Sequence, residues 1–391
     1  LTDASLITNY NKNINEKFRV KVDSALQTSK NYIQRTKPND DLSYKNSLST
    51  NLYLEGYNLK KIDDNLNINF NYYQTNQEDE DSKTIPLVFP KIKYFSGYTN
   101  IYDSLSYSTY EFYNIVRKKS TDVHAKKQQK LSYKYNLRKE IISYNTKILL
   151  DSEIYNQAFS TEDKLIGKDS YKSGNYYRLF PIFGFTTETP FKLTNYDPNL
   201  TFSPKFNLTI SPGLSNSNKL SNEDSTNNDF NLDNIYRLNR YSGNDKMDNS
   251  KRFTYGISAY NDNFNSSISQ TYEFTKNSNF HKEQGNNDYL SDILGSISYN
   301  NNYEISYNFR YDFDDSYLKK QNLNFSTNSK YGDVKVSYLD ENSAETETIN
   351  YSFFSKKISK YSKFKINGLY DLKKEINKEY SVGYSFFDEC F

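Results

Sequence analysis

Basic side chains cluster in one polar stretch, where they could bind phosphate. The cluster lies within residues 117–130, and its members are Arg117, Lys118, Lys119, Lys126, Lys127 and Lys130. Cations of this kind hold lipid phosphates by charge-assisted hydrogen bonds and by attraction to anionic surfaces. A run of charge is more often only a solvated loop, so both interpretations stay open.

A second charged group is acidic and suggests a cation site. It consists of Glu78, Asp79, Glu80 and Asp81. Carboxylate oxygens suit calcium or magnesium, but a dedicated site spaces its ligands along a loop and this run does not. A plain polar loop is therefore the favoured interpretation, and we expect no bound metal and no cofactor.

The residues that usually carry catalysis are sparse. His124 and His281 both lie in polar, loop-like sequence without a nucleophile motif nearby, whereas a hydrolase needs a histidine beside a serine and an acid. Cys390 is the one cysteine, which excludes a disulfide within this chain and a cysteine-based metal cluster. The sequence predicts no enzymatic activity.

Composition narrows the class of protein further. The 391 residues are 25% charged with a net charge of +2, which does not suit a protein that coats nucleic acid. Only 35% are hydrophobic, and the apolar runs fall far short of the roughly 20 residues that a membrane-spanning helix needs. Yet 17% are aromatic, with 39 Tyr and 26 Phe, which a disordered chain of this polarity would not carry.

Strict alternation of apolar and polar residues recurs along the whole chain. In residues 303–313, YEISYNFRYDF, aromatic and aliphatic side chains share one face of an extended strand, and Glu304 and Arg310 lie on the other. Comparable segments begin near residues 18, 65, 130, 253, 334, 349, 364 and 379. We expect about twenty or more strands in a single domain that spans residues 1–391.

The connections between these segments are of two lengths. Residues 331–333, Tyr-Gly-Asp, suit a hairpin turn, whereas the stretches 77–84, 117–130 and 215–250 are long and polar. Short turns on one side and long loops on the other are typical of outer-membrane barrels. Five prolines (Pro181, Pro190, Pro198, Pro204 and Pro212) predict irregular strands between residues 181 and 212.

The solvent on each face decides between two architectures. A soluble β-sandwich would bury the apolar face, whereas a membrane barrel would turn it toward lipid. Several segments run to about 9–11 residues, the length of a tilted transmembrane strand, and Tyr and Phe dominate the apolar face as in aromatic girdles. The sequence therefore predicts an all-β fold, a large antiparallel transmembrane β-barrel in the cell outer membrane, with a soluble or surface β-protein as the alternative.

The motifs NEDS (222–225), LNRYSG (238–243) and SDILG (291–295) resemble those of the LptD family, the outer-membrane barrels that assemble lipopolysaccharide at the cell surface. Residues 220–246, LSNEDSTNNDFNLDNIYRLNRYSGNDK, are similar to a family block through Asn222, Glu223, Asp224, Ser225, Leu238, Asn239, Arg240, Tyr241, Ser242, Gly243 and Asp245. A second match, in residues 287–314, contains Ser291, Asp292 and Gly295. Residues 85–94, 183–191 and 254–258 follow the family order, and Asp388, Glu389 and Cys390 resemble its C-terminal segment.

The resemblance implies a function and partners. Lipopolysaccharide would pass from the periplasm to the outer leaflet through the barrel interior and a lateral strand seam. A lipoprotein plug (LptE-like) would fill the interior and contact the loop that carries Asn222, Glu223, Asp224, Ser225, Asn239, Arg240, Gly243 and Asp245. A mobile surface loop is the alternative for that segment.

The resemblance also implies parts that this sequence does not show. The family carries an N-terminal periplasmic jellyroll, which receives lipopolysaccharide from a bridge protein, and a last strand after its cysteine segment. We therefore expect a barrel that is incomplete at both ends, and a disulfide from Cys390 to the N-terminal region. A general porin and a surface adhesin remain the alternatives in function, and no nucleic acid partner is expected.

Overall fold

The computed structural model describes residues 3–37, 40–76, 81–168, 170–192, 199–214, 216–226, 229–277, 279–356 and 362–386. Within these ranges one sheet contains 21 strands. The strands are β1 (Ser5–Asn13), β2 (Phe18–Gln27), β3 (Ser47–Tyr57), β4 (Asn65–Thr75), β5 (Leu87–Phe95), β6 (Thr99–Ile101), β7 (Ser104–Val116), β8 (Lys127–Ser143), β9 (Thr146–Leu165), β10 (Tyr171–Glu188), β11 (Phe191–Lys192), β12 (Thr201–Ile210), β13 (Lys251–Tyr260), β14 (Phe264–Glu273), β15 (Ile293–Asn300), β16 (Tyr303–Asp312), β17 (Tyr317–Asn328), β18 (Gly332–Glu341), β19 (Thr346–Ser355), β20 (Ser362–Asp371) and β21 (Ile376–Phe386).

Successive strands pair antiparallel, as a meander. Two short strands are exceptions: β6 shares the neighbour β7 with β5, and β11 shares β12 with β10. These two strands therefore continue β5 and β10 along the wall and add no new position to it. The alternating segments predicted from the sequence all coincide with strands, and the all-β antiparallel prediction is confirmed.

Helical structure is confined to short turns. The helix α1 spans Tyr32–Thr36, and single 3-10 turns occupy Asp41–Tyr44, Ser82–Thr84, Lys282–Gln284 and Asn342–Ala344. In α1, Ile33 is buried against Ala25 of β2 and Leu48 of β3, so this helix closes one end of the β2–β3 hairpin. None of the helices in the described ranges is long and apolar enough to span a membrane.

The connections alternate in length from one edge of the sheet to the other. Short turns such as 144–145, between β8 and β9, and 301–302, between β15 and β16, lie at one edge. The opposite edge carries the long connections 28–46, 117–126, 211–250 and 274–292. This is the predicted barrel pattern of short turns on one side and long loops on the other.

The sheet buries its polar side chains and exposes its apolar ones. In β8, Lys130 and Ser132 are buried, whereas Leu131 between them is 60% exposed. The strand β16 repeats the pattern, because Arg310 is buried and Tyr303 is exposed. A soluble sandwich shows the reverse distribution, so the apolar face is the one that meets lipid.

The proline-rich stretch contains the expected irregularity. Pairing of β10 with β12 begins only at Phe183, beyond Pro181, and the residues 189–190 separate β10 from β11. Pro204 lies in β12 close to this break, where its carbonyl accepts the N–H of Thr189 at 3.2 Å. Proline has no N–H for the ladder, which explains why the regular pairing stops here. Pro198 lies outside the described residues, and Pro212 follows β12.

The sheet has two terminal strands, β1 and β21. Within the described residues, β1 pairs with β2 alone and β21 pairs with β20 alone. The side chains of β21 are exposed on both faces, and those of β1 are exposed from Leu6 onward. Within the described residues, β1 and β21 are therefore the two outer strands of the sheet.

Candidate functional site

The long connection of residues 211–250, here called the inner loop, lies against the polar face of the sheet. It joins β12 to β13 and is described except at residues 215, 227 and 228. Apolar side chains anchor it: Leu238 and Met247 pack on Phe180 and Ile182 of β10. Gly184 makes room for this contact, because a Cβ there would lie 2.5 Å from Leu238 Cδ2. The described residues of the inner loop thus form a folded layer against the polar face of the sheet.

The first ionic contact of the inner loop is the Lys130 cluster, made of Lys130, Glu111, Asp224 and Asp245. Lys130, from β8, is 0% exposed, and its Nζ lies 2.8 Å from Asp245, 2.9 Å from Asp224 and 3.3 Å from Glu111 of β7. The Tyr113 hydroxyl also donates to Asp245, at 2.9 Å. One strand cation therefore holds two separate parts of the inner loop.

Those two parts of the inner loop also hold each other. The N–H groups of Glu223 and Asp224 donate to Asp245 Oδ2, at 2.7 and 3.1 Å. In return, the N–H groups of Asn244 and Asp245 donate to Asp224 Oδ1, at 3.0 and 2.8 Å. Short carboxylate side chains bonded to nearby backbone amides stabilise such turns locally. The NEDS and GND motifs are therefore one folded unit.

Further residues of these motifs tighten the unit. The Ser225 hydroxyl accepts the N–H of Asp245 at 2.8 Å, and the Asn222 side-chain amide donates to the Ser225 carbonyl at 2.6 Å. Gly243 passes so close to Asp224 that a Cβ would lie 2.3 Å from its carbonyl oxygen. These contacts explain why this spacing of Asn, Asp, Ser and Gly is needed.

Arg117 and Glu223 form a buried, bidentate ion pair. The two guanidinium nitrogens donate to the two carboxylate oxygens at 2.9 and 2.6 Å. His124 Nδ1 lies 3.6 Å from the same carboxylate, and the Ser221 hydroxyl also donates to it. Parallel hydrogen bonds of this kind fix orientation as well as charge. Arg117 therefore holds the start of the inner loop to the connection after β7.

A second cluster of charged side chains is the Arg240 cluster, made of Arg240, Arg252, Asp248 and Glu273. The Arg240 guanidinium bonds to Asp248 at 2.6 Å and to Glu273 of β14 at 2.5 Å. Arg252 of β13 lies 3.1 Å from Asp248 and also donates to the carbonyl of Leu238 at 3.3 Å. All four side chains are at least 98% buried.

A third contact reaches the strands farther along the sheet. The Asp229 carboxylate accepts from Arg310 of β16 at 3.0 Å and from Lys320 of β17 at 2.6 Å. The inner loop therefore contacts polar side chains from β7 to β17.

The pKa values of the loop carboxyls follow their partners. Burial acts to raise the pKa of Asp224, but the charge of Lys130 overcomes it and lowers that pKa to about 2. Burial also acts to raise the pKa of Glu223, but hydrogen bonds from His124 and Arg117 lower it. In the same way, the charges of Arg240 and Arg252 lower the pKa of Asp248 despite its burial. Burial, with the nearby Asp224 charge, raises the pKa of Asp245.

These ion pairs can fix the inner loop in place against the sheet. Each carboxylate of the two clusters lies within salt-bridge distance of a cation. Removing one partner of such a buried pair costs about 3–5 kcal/mol because the other charge stays behind. The chemistry of the site is therefore the positioning of the inner loop across a polar interior.

The structure brings together the loop residues that the sequence singled out. The folded unit at Lys130 contains Asn222, Glu223, Asp224, Ser225, Gly243 and Asp245. Arg240 belongs to the Arg240 cluster, and Asn239 lies beside that cluster. The Asn239 side-chain oxygen accepts the N–H of Asp248 at 3.1 Å. A contact with a plug protein stays a prediction, because most of these groups are occupied within the chain.

The basic run 117–130 is divided by the fold. Arg117 and Lys130 are buried in ion pairs, whereas Lys118, Lys119 and Lys126 are exposed and Lys127 is half-buried. Lys119 lies 3.3 Å from Asp81, and Lys126 lies 3.7 Å from Asp163. Their role toward lipid phosphate stays a prediction. Glu78, Asp79, Glu80 and Cys390 lie outside the described residues.

Several residues of the site did not emerge from the sequence. They are Glu111, Tyr113, Asp229, Asp248, Arg252 and Glu273. The signal for Glu111 is a full charge in the middle of β7, whereas Arg252 and Glu273 are charges at the ends of β13 and β14. Such charges were expected to face a wet interior, and here they lie beneath the inner loop instead.

The fold and the inner loop define a large antiparallel transmembrane β-barrel, part of whose interior is filled by one of its own connections. The family model LptD, LPS transport system D, matches residues 4–376, so the chain belongs to the LptD family. The predicted family membership is confirmed.

Two solved structures are similar to the chain. The siderophore receptor PirA from Pseudomonas aeruginosa has a TM-score of 0.46 and 10% identity, with 96% of this chain and 75% of that chain covered. A mutant of the ferric enterobactin receptor PfeA from Pseudomonas aeruginosa has a TM-score of 0.39 and 11% identity, with 94% and 73% covered. No curated protein sequence matches this chain.

Proposed function

We propose that this chain is the outer-membrane wall of a lipopolysaccharide translocon, which delivers lipopolysaccharide from the periplasm to the outer leaflet. The observation that carries the proposal is the LptD family match over residues 4–376. Membership of that family supports lipopolysaccharide transport and assembly, and an outer-membrane location.

The distribution of side chains suits an amphiphilic cargo. Lipopolysaccharide has a charged sugar-phosphate head and several acyl chains, which need different surroundings. The polar face offers charged and amide side chains to the head, while the exposed face carries apolar residues such as Leu131, Phe183 and Ile305. Charge in hydrocarbon is expensive, so the head would follow the interior while the acyl chains leave sideways.

The seam for that sideways exit would involve the two terminal strands. Among the described residues β1 and β21 are the outer strands of the sheet, and unpaired backbone groups are costly in lipid. The two edges would therefore close against each other, or against a further strand of the whole protein. A pairing that opens more easily than the rest of the wall would let acyl chains pass.

The partners follow from the same family membership. A lipoprotein plug would sit beside the inner loop, and a bridge protein would supply lipopolysaccharide through an N-terminal jellyroll. Cys390 would form its disulfide with that N-terminal region in the oxidising periplasm. Lys118 and Lys127, together with the remaining basic residues near them, would meet lipid phosphates at the rim.

A general porin is the less favoured function. Its interior would stay open to small solutes, whereas the inner loop of this chain contacts strands from β7 to β17 through ion pairs, which are buried at Lys130 and Arg240. A surface adhesin is also less favoured, because its aromatic residues would be packed inside and not exposed.

Crosslinking from defined faces tests the proposal. A photoreactive amino acid would replace Asn308, on the polar face of β16, or Ile305, on the apolar face, in the complete protein within a Gram-negative envelope. We expect adducts with the lipopolysaccharide head at position 308, and adducts with acyl chains or membrane lipid at position 305. Head-group adducts that are absent, or equally frequent at both positions, would contradict the proposal.

A depletion experiment tests the function itself. In cells depleted of their own LptD protein, the complete gene should restore lipopolysaccharide at the surface, measured by an outer-leaflet enzyme that modifies lipid A. Depleted cells that carry no added gene are the negative control. Restored uptake of small solutes without surface lipopolysaccharide would favour the porin.

A further inference from the structure

Among the described residues, Lys164 and Lys246 have no carboxylate partner, in contrast to Lys130. Lys164, near the end of β9, is 3% exposed, and its ammonium donates to the backbone carbonyls of Asp122 and Leu165. Lys246, in the inner loop, is half-buried over the Tyr241 ring, 6.0 Å from its centre. Among the described residues neither forms a salt bridge, in contrast to Lys130 with three.

Both lysines line the same cavity. It has a volume of about 300 Å³ and lies between the inner loop, the connection after β7 and the end of β9. Ser217, Ser221, Asn218 and Asn222 line it as well. A burial this deep without a counter-charge is costly, so an anion in the cavity would stabilise the fold.

The acidic residues at this cavity do not cancel its positive charge. The Asp245 carboxylate is occupied by Lys130, Tyr113 and two backbone N–H groups. Asp122 gives Lys164 its backbone carbonyl, and its exposed side chain forms no salt bridge with that lysine. The cavity therefore keeps two cations whose charge is not neutralised by a direct partner.

We propose that this cavity binds a phosphate ester carried on a sugar. Ammonium groups bind phosphate as compact point charges, and serine and asparagine side chains match the hydroxyl groups of a sugar. A volume of about 300 Å³ is at the small end of ligand sites, which fits one phosphorylated sugar unit. That the ester belongs to the lipid head group rests on the proposed function; binding of the ester itself does not.

The position of the cavity gives it a place along the route. It lies at the edge of the sheet that carries the long connections, since the β7–β8 connection forms one of its sides. In outer-membrane barrels the long connections face the cell exterior. The cavity would therefore receive the head group late in its passage, after it has moved along the polar face.

Binding measurements on the complete protein in detergent test the site. The probes are inorganic phosphate, glucose 6-phosphate and glucose, and titration calorimetry measures the affinity of each. We expect glucose 6-phosphate to bind, glucose not to bind, and Lys164→Met or Lys246→Met to weaken binding about tenfold or more. Lys164→Arg keeps the charge and should retain binding, and Lys219→Met, an exposed lysine of the same loop, is the matched control.

Several results would overturn the site. Equal binding by Lys164→Met and the unchanged protein would do so, as would an equal loss in Lys219→Met, which would indicate only surface attraction. If a methionine variant fails to fold, the Lys164→Arg form tests the site instead. This form keeps the positive charge, so we expect undiminished affinity for the sugar phosphate, and a loss of affinity would overturn the site.

A second arm separates a lipid head group from free phosphate. A photoreactive amino acid at Asn218, a cavity residue, is exposed to intact or dephosphorylated lipopolysaccharide. Adducts with the intact form alone support the head-group assignment, and equal adducts overturn it. In one outcome, the double variant with Lys164→Met and Lys246→Met loses sugar-phosphate binding and still delivers lipopolysaccharide to the surface at the unchanged rate. That result would reject a role of the cavity in transport, and the proposed function would stand. Failure of the unchanged protein to deliver rejects the proposed function instead.

Discussion

Asp224 and Asp245 bind each other's backbone across the inner loop. The N–H of Asp224 donates to Asp245 Oδ2 at 3.1 Å, and the N–H of Asp245 donates to Asp224 Oδ1 at 2.8 Å. Two like charges so close together are tolerated because Lys130 Nζ lies within 2.9 Å of both carboxylates. The pairing of Asp224 with Asp245 therefore depends on one strand cation, Lys130.

The Lys130→Met substitution should release this part of the inner loop. It leaves Asp224, Asp245 and Glu111 without their shared cation, and an unpaired buried charge costs about 3–5 kcal/mol. We expect a fall of that size in the free energy of unfolding, measured by urea titration of the protein refolded in micelles. Lys127→Met, three residues earlier in β8, is the control, and an equal effect of both would contradict the account.

Arg240→Lys should weaken the second cluster without removing its charge. A lysine has no planar fork, so it cannot hold Asp248 and Glu273 as the guanidinium does. We expect a loss of about 2 kcal/mol for the charged hydrogen bond that is given up. Chymotrypsin should then cleave at Tyr241, which is buried in the unchanged protein. Arg237→Lys, at an exposed position, should leave Tyr241 protected.

Acid should detach the inner loop from the sheet. The pKa of Asp224 is about 2, below its usual value near 4, so its stabilising effect is complete above pH of about 4 and is lost as the pH falls through about 2. Glu223 and Asp248 act in the same direction because their pKa values are also lowered. Asp245 acts in the opposite direction, since its raised pKa favours the neutral form.

Pepsin provides the measurement for this pH dependence. We expect slow cleavage of the inner loop at pH of about 4 and rapid cleavage near 2, after correction with an unfolded substrate. The Lys130→Met form should already be cleaved at the higher pH. Equal protection at both values would show that the carboxylates do not hold the loop.

Gly243→Ala tests the close approach of the two turns. Its Cβ would lie 2.3 Å from the Asp224 carbonyl oxygen, which cannot move without breaking the bonds around Asp245. We expect destabilisation of about 1–3 kcal/mol, as for other overpacked sites. Gly383→Ala is the control, since its Cβ meets only Lys365 Cβ at 3.8 Å. The readout is the thermal midpoint of unfolding in micelles.

Arginine on opposite faces of β17 tests which face meets lipid. Leu323 is 43% exposed on the apolar face, and the adjacent Asn324 points to the polar face. We expect Leu323→Arg to cost about 2–4 kcal/mol in lipid vesicles, and Asn324→Arg to cost much less. A larger effect at position 324 would mean that the apolar face is packed against protein.

The sequence predicted the wall of the barrel because alternation has a direct physical cause. Successive side chains of a strand point to opposite faces. An alternating pair such as Tyr303 and Glu304 therefore predicts a strand with one apolar face and one polar face. The irregularity between Pro181 and Pro204 was visible for a similar reason, since proline cannot donate to the ladder.

The ionic clusters could be predicted only in part. The motifs drew attention to Asp224, Arg240 and Asp245, but not to their partners Glu111 and Glu273, because those lie far away in the chain. Whether a mid-strand charge meets water or a folded loop depends on the path of that loop, and no local pattern encodes this path.

Three neighbouring strands, β8, β9 and β10, are 17, 20 and 18 residues long. About 9–11 residues suffice to cross the hydrocarbon at a tilt, so nearly half of each of these strands must stand clear of the bilayer. The result is a stiff rib of hydrogen-bonded backbone projecting into water. A soluble protein or an antibody that approaches the membrane here would touch this rib before it reached any lipid.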